Sequence, residues 1–299
     1  MRFWRRKLEK ALVLGSTGLL GSHVSSLLKK NYKVTGTYLR SQPISEIEHY
    51  KIDVTNFSEI EKLISTGDFN LIINCIGLTN IEECERRPEA AWQINATLPF
   101  YLAKASHLAG AKLIHVSTDH YFSEVQQPRS ENVKFTAVNH YGYTKISGEG
   151  FVINTNPSAL VLRTNFFGIS KKSNHSLLDF LVYKLVKGEN FEGFEDVIFN
   201  PLGVSELSRL ILKLADSSLT GIFHAAGERP ISKYEFALEV ATSLKKTPTR
   251  IRKGSVESFQ TLVKRPSYLA LDGTKLWETL GINPASMSSM LSEELKNVI

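Results

Sequence analysis

Residues 11–21 read ALVLGSTGLLG, and this stretch decides the fold. Residues 11–15 are an apolar run ending in glycine, which reads as a buried strand. Residues 18–30 carry Leu19, Leu20, Val24, Leu27 and Leu28 at helical spacing. Gly15, Gly18 and Gly21 recur every third residue, so the loop that leaves the strand opens the helix. Glycine allows a tight turn and a close backbone approach to a pyrophosphate. The helix start adds free N–H groups and partial positive charge. Three glycines in a turn are common, but between a strand and a helix they form a dinucleotide fingerprint. Gly15, Ser16, Thr17, Gly18, Leu19, Leu20 and Gly21 are therefore candidate cofactor-binding residues.

Outward from this loop, apolar runs alternate with amphipathic stretches. Residues 32–38, 50–54, 71–75, 112–117 and 159–163 read as strands, and residues 57–64, 88–108 and 141–153 as helices. The alternation predicts an α/β fold, a Rossmann-type doubly wound parallel sheet with right-handed crossovers. After Gly168 the rhythm changes. Helices are expected over 176–187, 205–215, 232–244, 273–280 and 287–297, with one strand at 221–225. Residues 1–168 are expected to hold the cofactor. Residues 169–299 form a smaller, mainly substrate-binding part, with some segments returning to the sheet and the rest covering its carboxyl edge.

The 299 residues are 42% hydrophobic and 22% charged, a globular composition with enough chain for a full core. Net charge is +6, but the first ten residues, MRFWRRKLEK, hold five basic residues against one acidic. The remainder carries no basic stripe interleaved with aromatics, which argues against nucleic acid as a partner. Glu9 and the glycines after it also interrupt what would otherwise resemble a secretory leader. No apolar run approaches the ~20 residues that span a bilayer, so no membrane partner is expected. Cys75 and Cys84 are the two cysteines, which offers neither a disulfide framework nor a metal ligand set and suits a reducing cytoplasm.

The second strand runs out through GTYLRSQ, residues 36–42. An NAD site usually carries an acid there for the ribose hydroxyls. Here stands Arg40, whose guanidinium suits a 2′-phosphate, so NADP is expected, with NAD as the alternative. Asp53 and Val54 follow the third strand. The Asp53 carboxylate could take an adenine amino group or cap the next helix. Cys75, Ile76 and Gly77 end the fourth strand, where small residues let a cofactor pass, and Cys75 reads as a packed small hydrophobe.

Residues 139–145, NHYGYTK, hold the chemistry. Tyr141 and Lys145 stand at i and i+4 and share one helix face, whereas Tyr143 points away. A free phenol titrates near ~10, and a neighbouring ammonium would lower that value. Tyr141 could then protonate a carbonyl oxygen while a hydride reaches the carbon. Lys145 could also hydrogen-bond the nicotinamide ribose, so Tyr141 and Lys145 are candidate cofactor-binding residues as well. Upstream, a strand ends in Ser117, Thr118 and Asp119, and either hydroxyl could hold the carbonyl oxygen. For each of these residues an ordinary packing or strand-end role is the plain alternative.

With these motifs the chain resembles the extended short-chain dehydrogenase/reductase family, in its sugar-nucleotide reductase branch. The matching segments are GSTGLLG at 15–21, IDVTN at 52–56, STDHYF at 117–122, YGYTK at 141–145, LRTNFFG at 162–168, GIFHAAGERPISKYEFA at 221–237 and KRPSYLALDGTKL at 264–276. The resemblance implies that Thr118, Tyr141 and Lys145 are the catalytic set and that Asn95 supports them, through a water to the lysine. It also implies that Ser117, Thr118 and Arg265 meet a nucleotide-sugar substrate. NADPH-dependent reduction of a 4-keto deoxysugar follows, with nucleotide-sugar epimerisation and a non-catalytic dinucleotide-binding subunit as alternatives. A magnesium-linked homodimer belongs to the resemblance too, although no metal site is legible. His120 and Tyr121 depart from the branch's usual STDYVF, as do NCIG at 74–77 and EDVIFNPLGVS at 195–205.

Overall fold

The computed structural model describes residues 8–41, 47–121, 126–170, 176–258, 263–296 and 298. The basic first residues, Gln42, Phe122 and Asn297 lie outside the described residues. Strand β1 (Glu9–Leu14) leads into helix α1 (Leu19–Leu28), and β2 (Tyr32–Tyr38) follows. Strand β3 (Glu48–Lys51) comes next, then α2 (Phe57–Gly67) and β4 (Leu71–Asn74). Helices α3 (Ile81–Arg86) and α4 (Pro88–Trp92) run through a π turn at Gln93–Thr97 into α5 (Leu98–Ala109). Then follow β5 (Lys112–Val116), α6 (His140–Thr155), β6 (Leu160–Thr164), α7 (Leu177–Lys187), α8 (Val204–Ala215) and β7 (Gly221–Ala225). Helices α9 (Lys233–Ser243), α10 (Thr274–Leu280) and α11 (Met287–Leu295) complete the chain.

The seven strands are all parallel, in the order β7-β6-β5-β4-β1-β2-β3. Alternation along β1 explains the unbroken ALVL. Ala11 and Val13 face one core with Val24 and Leu28 of α1, and Leu12 and Leu14 face the other with Leu98 and Leu102 of α5. Helices α1 and α8 pack together over one face, and α2, α5 and α6 over the other. The sequence order reverses between β1 and β4, which opens a crevice at their carboxyl ends.

Three details differ from the sequence reading. The third strand lies earlier, because β3 pairs from Glu48 with Thr35. Asp53 then turns the chain, accepting from the N–H and hydroxyl of Thr55. It is Asn56 that caps α2, accepting from Glu59 N. The long helix over 88–108 is broken by the π turn, and α3 precedes it. Beyond β6, short strand pairs join Phe166–Phe167 to Leu202–Gly203, Ile198–Phe199 to Ile231–Ser232, and Phe191–Phe194 to Ile251–Gly254. Phe167 and Phe199 both pack on Phe236 of α9.

Candidate active site

The glycine loop is held by its backbone. Gly15 adopts φ +77°, and Gly18 N–H donates to its carbonyl at 3.0 Å. A Cβ on Gly21 would stand 2.1 Å from that same oxygen, so only glycine lets α1 start this close to the strand. Ser16 turns inward, and both its N–H and its hydroxyl donate to Thr37 O. Gly15 N–H donates to the Thr37 hydroxyl. Thr37 thus pins the loop to β2, a role the sequence reading missed. Gly18 caps α1 without a side chain, which leaves the first-turn amides to a ligand. Thr17 is half-buried beside them. The loop fits a dinucleotide pyrophosphate, because its closest approaches are backbone on backbone.

Across the switch point, Asn74 shapes the next wall. Its Oδ1 accepts from Ile76 N–H, and its Nδ2 donates to His115 Nδ1 at 3.0 Å. This fixes the turn through Cys75, Ile76 and Gly77. Burial pushes the Cys75 thiol up to about 12, so it packs and does not react. Asn95 sits in the π turn. Its Oδ1 accepts from Leu78 N–H, and its Nδ2 donates to Leu78 O and to the Thr144 hydroxyl. The amide is engaged directly with protein groups, clamping the 75–78 turn to α6. A Cβ on Gly148 would lie 2.1 Å from Asn95 O, so the π turn and the glycine together let α6 lie close.

The chemistry-bearing residues meet at the sheet's carboxyl edge. A cavity of about 250 Å³ is lined by Leu20, Cys75–Gly77, Ser117, Thr118, Asp119, Tyr141, Lys145 and residues 164–166. Tyr141 is 7% exposed, and Thr118's hydroxyl lies near enough to its phenol to stabilise the phenolate. Ser117's hydroxyl is committed elsewhere, to Tyr121 OH at 2.8 Å. That separates the two hydroxyls: Thr118 faces the phenol and Ser117 the interior. Tyr143 is 55% exposed and packs against Trp92.

Lys145 is 3% exposed and donates to Val116 O at 3.0 Å. Burial pulls its ammonium down to about 8, opposed by the Glu149 carboxylate one turn further along. The lysine was expected to lower the phenol's pKa. Here desolvation dominates and burial raises Tyr141 above its ordinary value, with Thr118 opposing. The phenol is therefore held protonated. Glu149 is itself gripped by Arg163 through three contacts of 2.7–3.1 Å and by Tyr121 OH at 2.5 Å. Arg163 Nη1 lies 3.3 Å from His224 Nε2, extending the buried network to β7.

Further out, Asp119 accepts from Asn165 Nδ2 at 2.8 Å, and burial pushes its carboxyl up to about 6. Arg129, Lys233 and Arg265 face His120, and burial with these charges drives its imidazole down to about 3. Arg265 pairs with Glu82 of α3. Arg40, Asp53, Val54, Asn95 and Arg265 do not line the 250 Å³ cavity. Arg40 and Asp53 are exposed near the end of β2, where the Thr55 N–H and hydroxyl hold the Asp53 carboxyl below its ordinary value and Arg40 adds a smaller pull. Asn139, which caps α6, was quoted in the sequence without a role, although an asparagine before a helix is a recognisable cap. Among the described residues no group of three or more His, Cys, Asp or Glu is placed to hold a metal. No helix there is long and apolar enough to cross a membrane.

Residues 9–299 match the model of the RmlD substrate binding domain family. The dTDP-4-dehydrorhamnose reductase of Mycobacterium tuberculosis is 29% identical over 283 residues, covering 92% of this chain and 88% of that one. Methionine adenosyltransferase 2 subunit beta of Mus musculus is also 29% identical, over 285 residues, 92% of this chain and 83% of its own. The fold matches a Bacillus anthracis dTDP-4-dehydrorhamnose reductase crystallised with NADP. The TM-score is 0.86 at 24% identity, covering 97% of this chain and 99% of that one.

Proposed function

The chain belongs to the family of the RmlD substrate binding domain, and we infer from this that it is an NADPH-dependent sugar-nucleotide reductase. It converts dTDP-4-dehydro-L-rhamnose to dTDP-L-rhamnose. The observation that carries this reading is the buried Tyr141–Thr118 pair lining one cavity with Lys145. Bound NADPH would supply the hydride that adds to C4 of the sugar. Tyr141, kept protonated by burial, gives its proton to the C4 oxygen as the carbon accepts the hydride. Thr118 donates a hydrogen bond that holds that oxygen in place. Lys145, charged below about pH 8, stabilises the phenolate left on Tyr141. The loop of Gly15, Ser16, Thr17, Gly18, Leu19, Leu20 and Gly21 would hold the pyrophosphate. Cys75–Gly77 would border the nicotinamide side, and Asp53 with Val54 the adenine. Arg40 would meet the 2′-phosphate, the reason NADPH is favoured over NADH. Residues 1–168 hold most of the cofactor contacts, and Arg265 from the later part meets the substrate diphosphate.

The free thiols of Cys75 and Cys84 suit a reducing cytoplasm. NADPH oxidation with dTDP-4-dehydro-L-rhamnose tests the reading. Wild type and Tyr143→Phe should turn over, and Tyr141→Phe should lose ~10²–10⁴ in rate. A wild type that binds NADPH yet reduces no sugar nucleotide would overturn it. That outcome would favour a non-catalytic subunit, the reading suggested by the adenosyltransferase relative.

A further inference from the structure

Asn139 joins three segments far apart in sequence. It is 8% exposed and precedes α6 in an extended conformation. Its Oδ1 accepts from Gly142 N–H at 2.8 Å, capping the helix that carries Tyr141 and Lys145. Its Nδ2 donates to Lys264 O at 2.9 Å and lies 3.1 Å from His120 Nε2. A side-chain amide has one carbonyl and two N–H bonds, and all three are used. Its orientation is fixed, because a backbone N–H faces one end and a backbone carbonyl the other. His120 Nε2 must then accept, which leaves the ring proton on Nδ1. His120 N–H in turn donates to Thr118 Oγ1 at 3.2 Å. On the other side, Val263 packs with Ile81, Cys84 and Tyr141, and Arg265 pairs with Glu82.

We propose that Asn139 is a positioning residue for the nucleotide sugar, tying the Thr118–His120 loop, the start of α6 and the 263–265 segment that bears Arg265 into one unit. The proposal rests on the reductase reading above. The cap holds Tyr141, the His120 bond holds the loop beside Thr118, and the Lys264 bond sets where Arg265 can reach. None of the three bonds involves the glycine loop. Loss of the two Nδ2 bonds therefore weakens sugar-nucleotide binding and leaves NADPH binding alone.

Asn139→Ser separates these roles. Serine caps helices about as well as asparagine, but its side chain ends short of Lys264 and His120. Asn139→Asp keeps the cap and sets an oxygen against Lys264 O, a second route to the same break. Both variants should raise KM for dTDP-4-dehydro-L-rhamnose by ~10-fold, as expected for two lost hydrogen bonds. They should hold kcat within ~3-fold and leave the Kd of NADPH unmoved. In an Arg265→Ala background, Asn139→Ser should raise KM by clearly less than it does alone, because the Lys264 bond then positions no contact to the diphosphate. Amide exchange on the NADPH-bound protein reads the tie without any sugar. Protection should fall across 263–270 and persist across 140–155. Unchanged exchange at 263–270, or a KM effect that survives Arg265→Ala in full, would overturn the proposal. A wild type that does not reduce this sugar would overturn the reductase reading, while the exchange data still decide the tie.

Discussion

The two walls of the site are built differently. The cofactor wall is backbone against backbone, with Gly21 seated on Gly15 and Gly148 on Asn95. The sugar wall is side chain against distant side chain or backbone. Arg265 reaches Glu82 across 183 positions, Asn139 reaches Lys264 across 125, and Asn165 reaches Asp119 across 46. A wall of close backbones tolerates no added atom, and the side chains that hold it, Thr37, Asn74 and Asn95, bond largely to backbone. A wall of paired side chains tolerates change in volume but not the loss of a partner.

The buried Glu149–Arg163 pair behind the sugar wall should show the largest effect. Glu149→Ala would leave Arg163, 7% exposed, without its carboxylate. Stability should fall by ~3–5 kcal/mol in chemical denaturation, as for other broken buried pairs. A loss under ~1 kcal/mol would mean this wall does not depend on pairing. Gly21→Ala probes the opposite wall with one methyl. The Cβ would collide with Gly15 O, so NADPH affinity should drop ~100-fold in fluorescence titration. A variant that binds normally would show that the loop can relax.

Lys145 stands where the walls meet, and its titration should split binding from stability. Its folded pKa of about 8 lies below that of the unfolded chain, near ~10.4. Between those values the unfolded chain keeps a proton that the folded one has lost, so stability rises with pH. Over the same window the site loses its ammonium, and NADPH affinity should fall by up to ~10-fold between pH 7.5 and 9.5. Lys145→Met should flatten both trends, and opposite slopes that persist in it would assign them to another group. The smallest effect belongs to Arg40, exposed at the end of β2. Arg40→Ala should raise the KM of NADPH ~5-fold and leave that of NADH unchanged. Equal effects on both cofactors would remove the 2′-phosphate role.

The same contrast decides what was legible in the sequence. Backbone walls announce themselves through local spacing, so the glycine loop, the strands around it and the Tyr141–Lys145 face could all be read. Side-chain ties depend on residues that meet only after folding. Nothing in IEECERRPE, residues 81–89, marks Glu82 as the partner of Arg265, and Ser117 and Thr118 were equivalent until Tyr121 took one of them. The π turn was hidden because its residues have ordinary helical spacing. Gly148, which the turn packs against, lies on another helix. Tyr141's protonation was misjudged for a related reason: composition shows the neighbouring charge but not how deeply the phenol is buried.

Strand β7 has a consequence for how the protein is made. It pairs along β6 from Gly221–Leu160 to Ala225–Thr164, so the edge of β6 is covered by chain synthesised some sixty residues later. A nascent chain holding only the first 168 residues has the glycine loop and the Tyr141–Lys145 helix, yet carries an open parallel edge of buried-type side chains. Such edges invite association with other chains. Residues 1–168, proposed above to hold most of the cofactor contacts, are therefore not a detachable module. Their sheet closes only after residues 221–225 have left the ribosome, and Arg163 meets His224 in the same step.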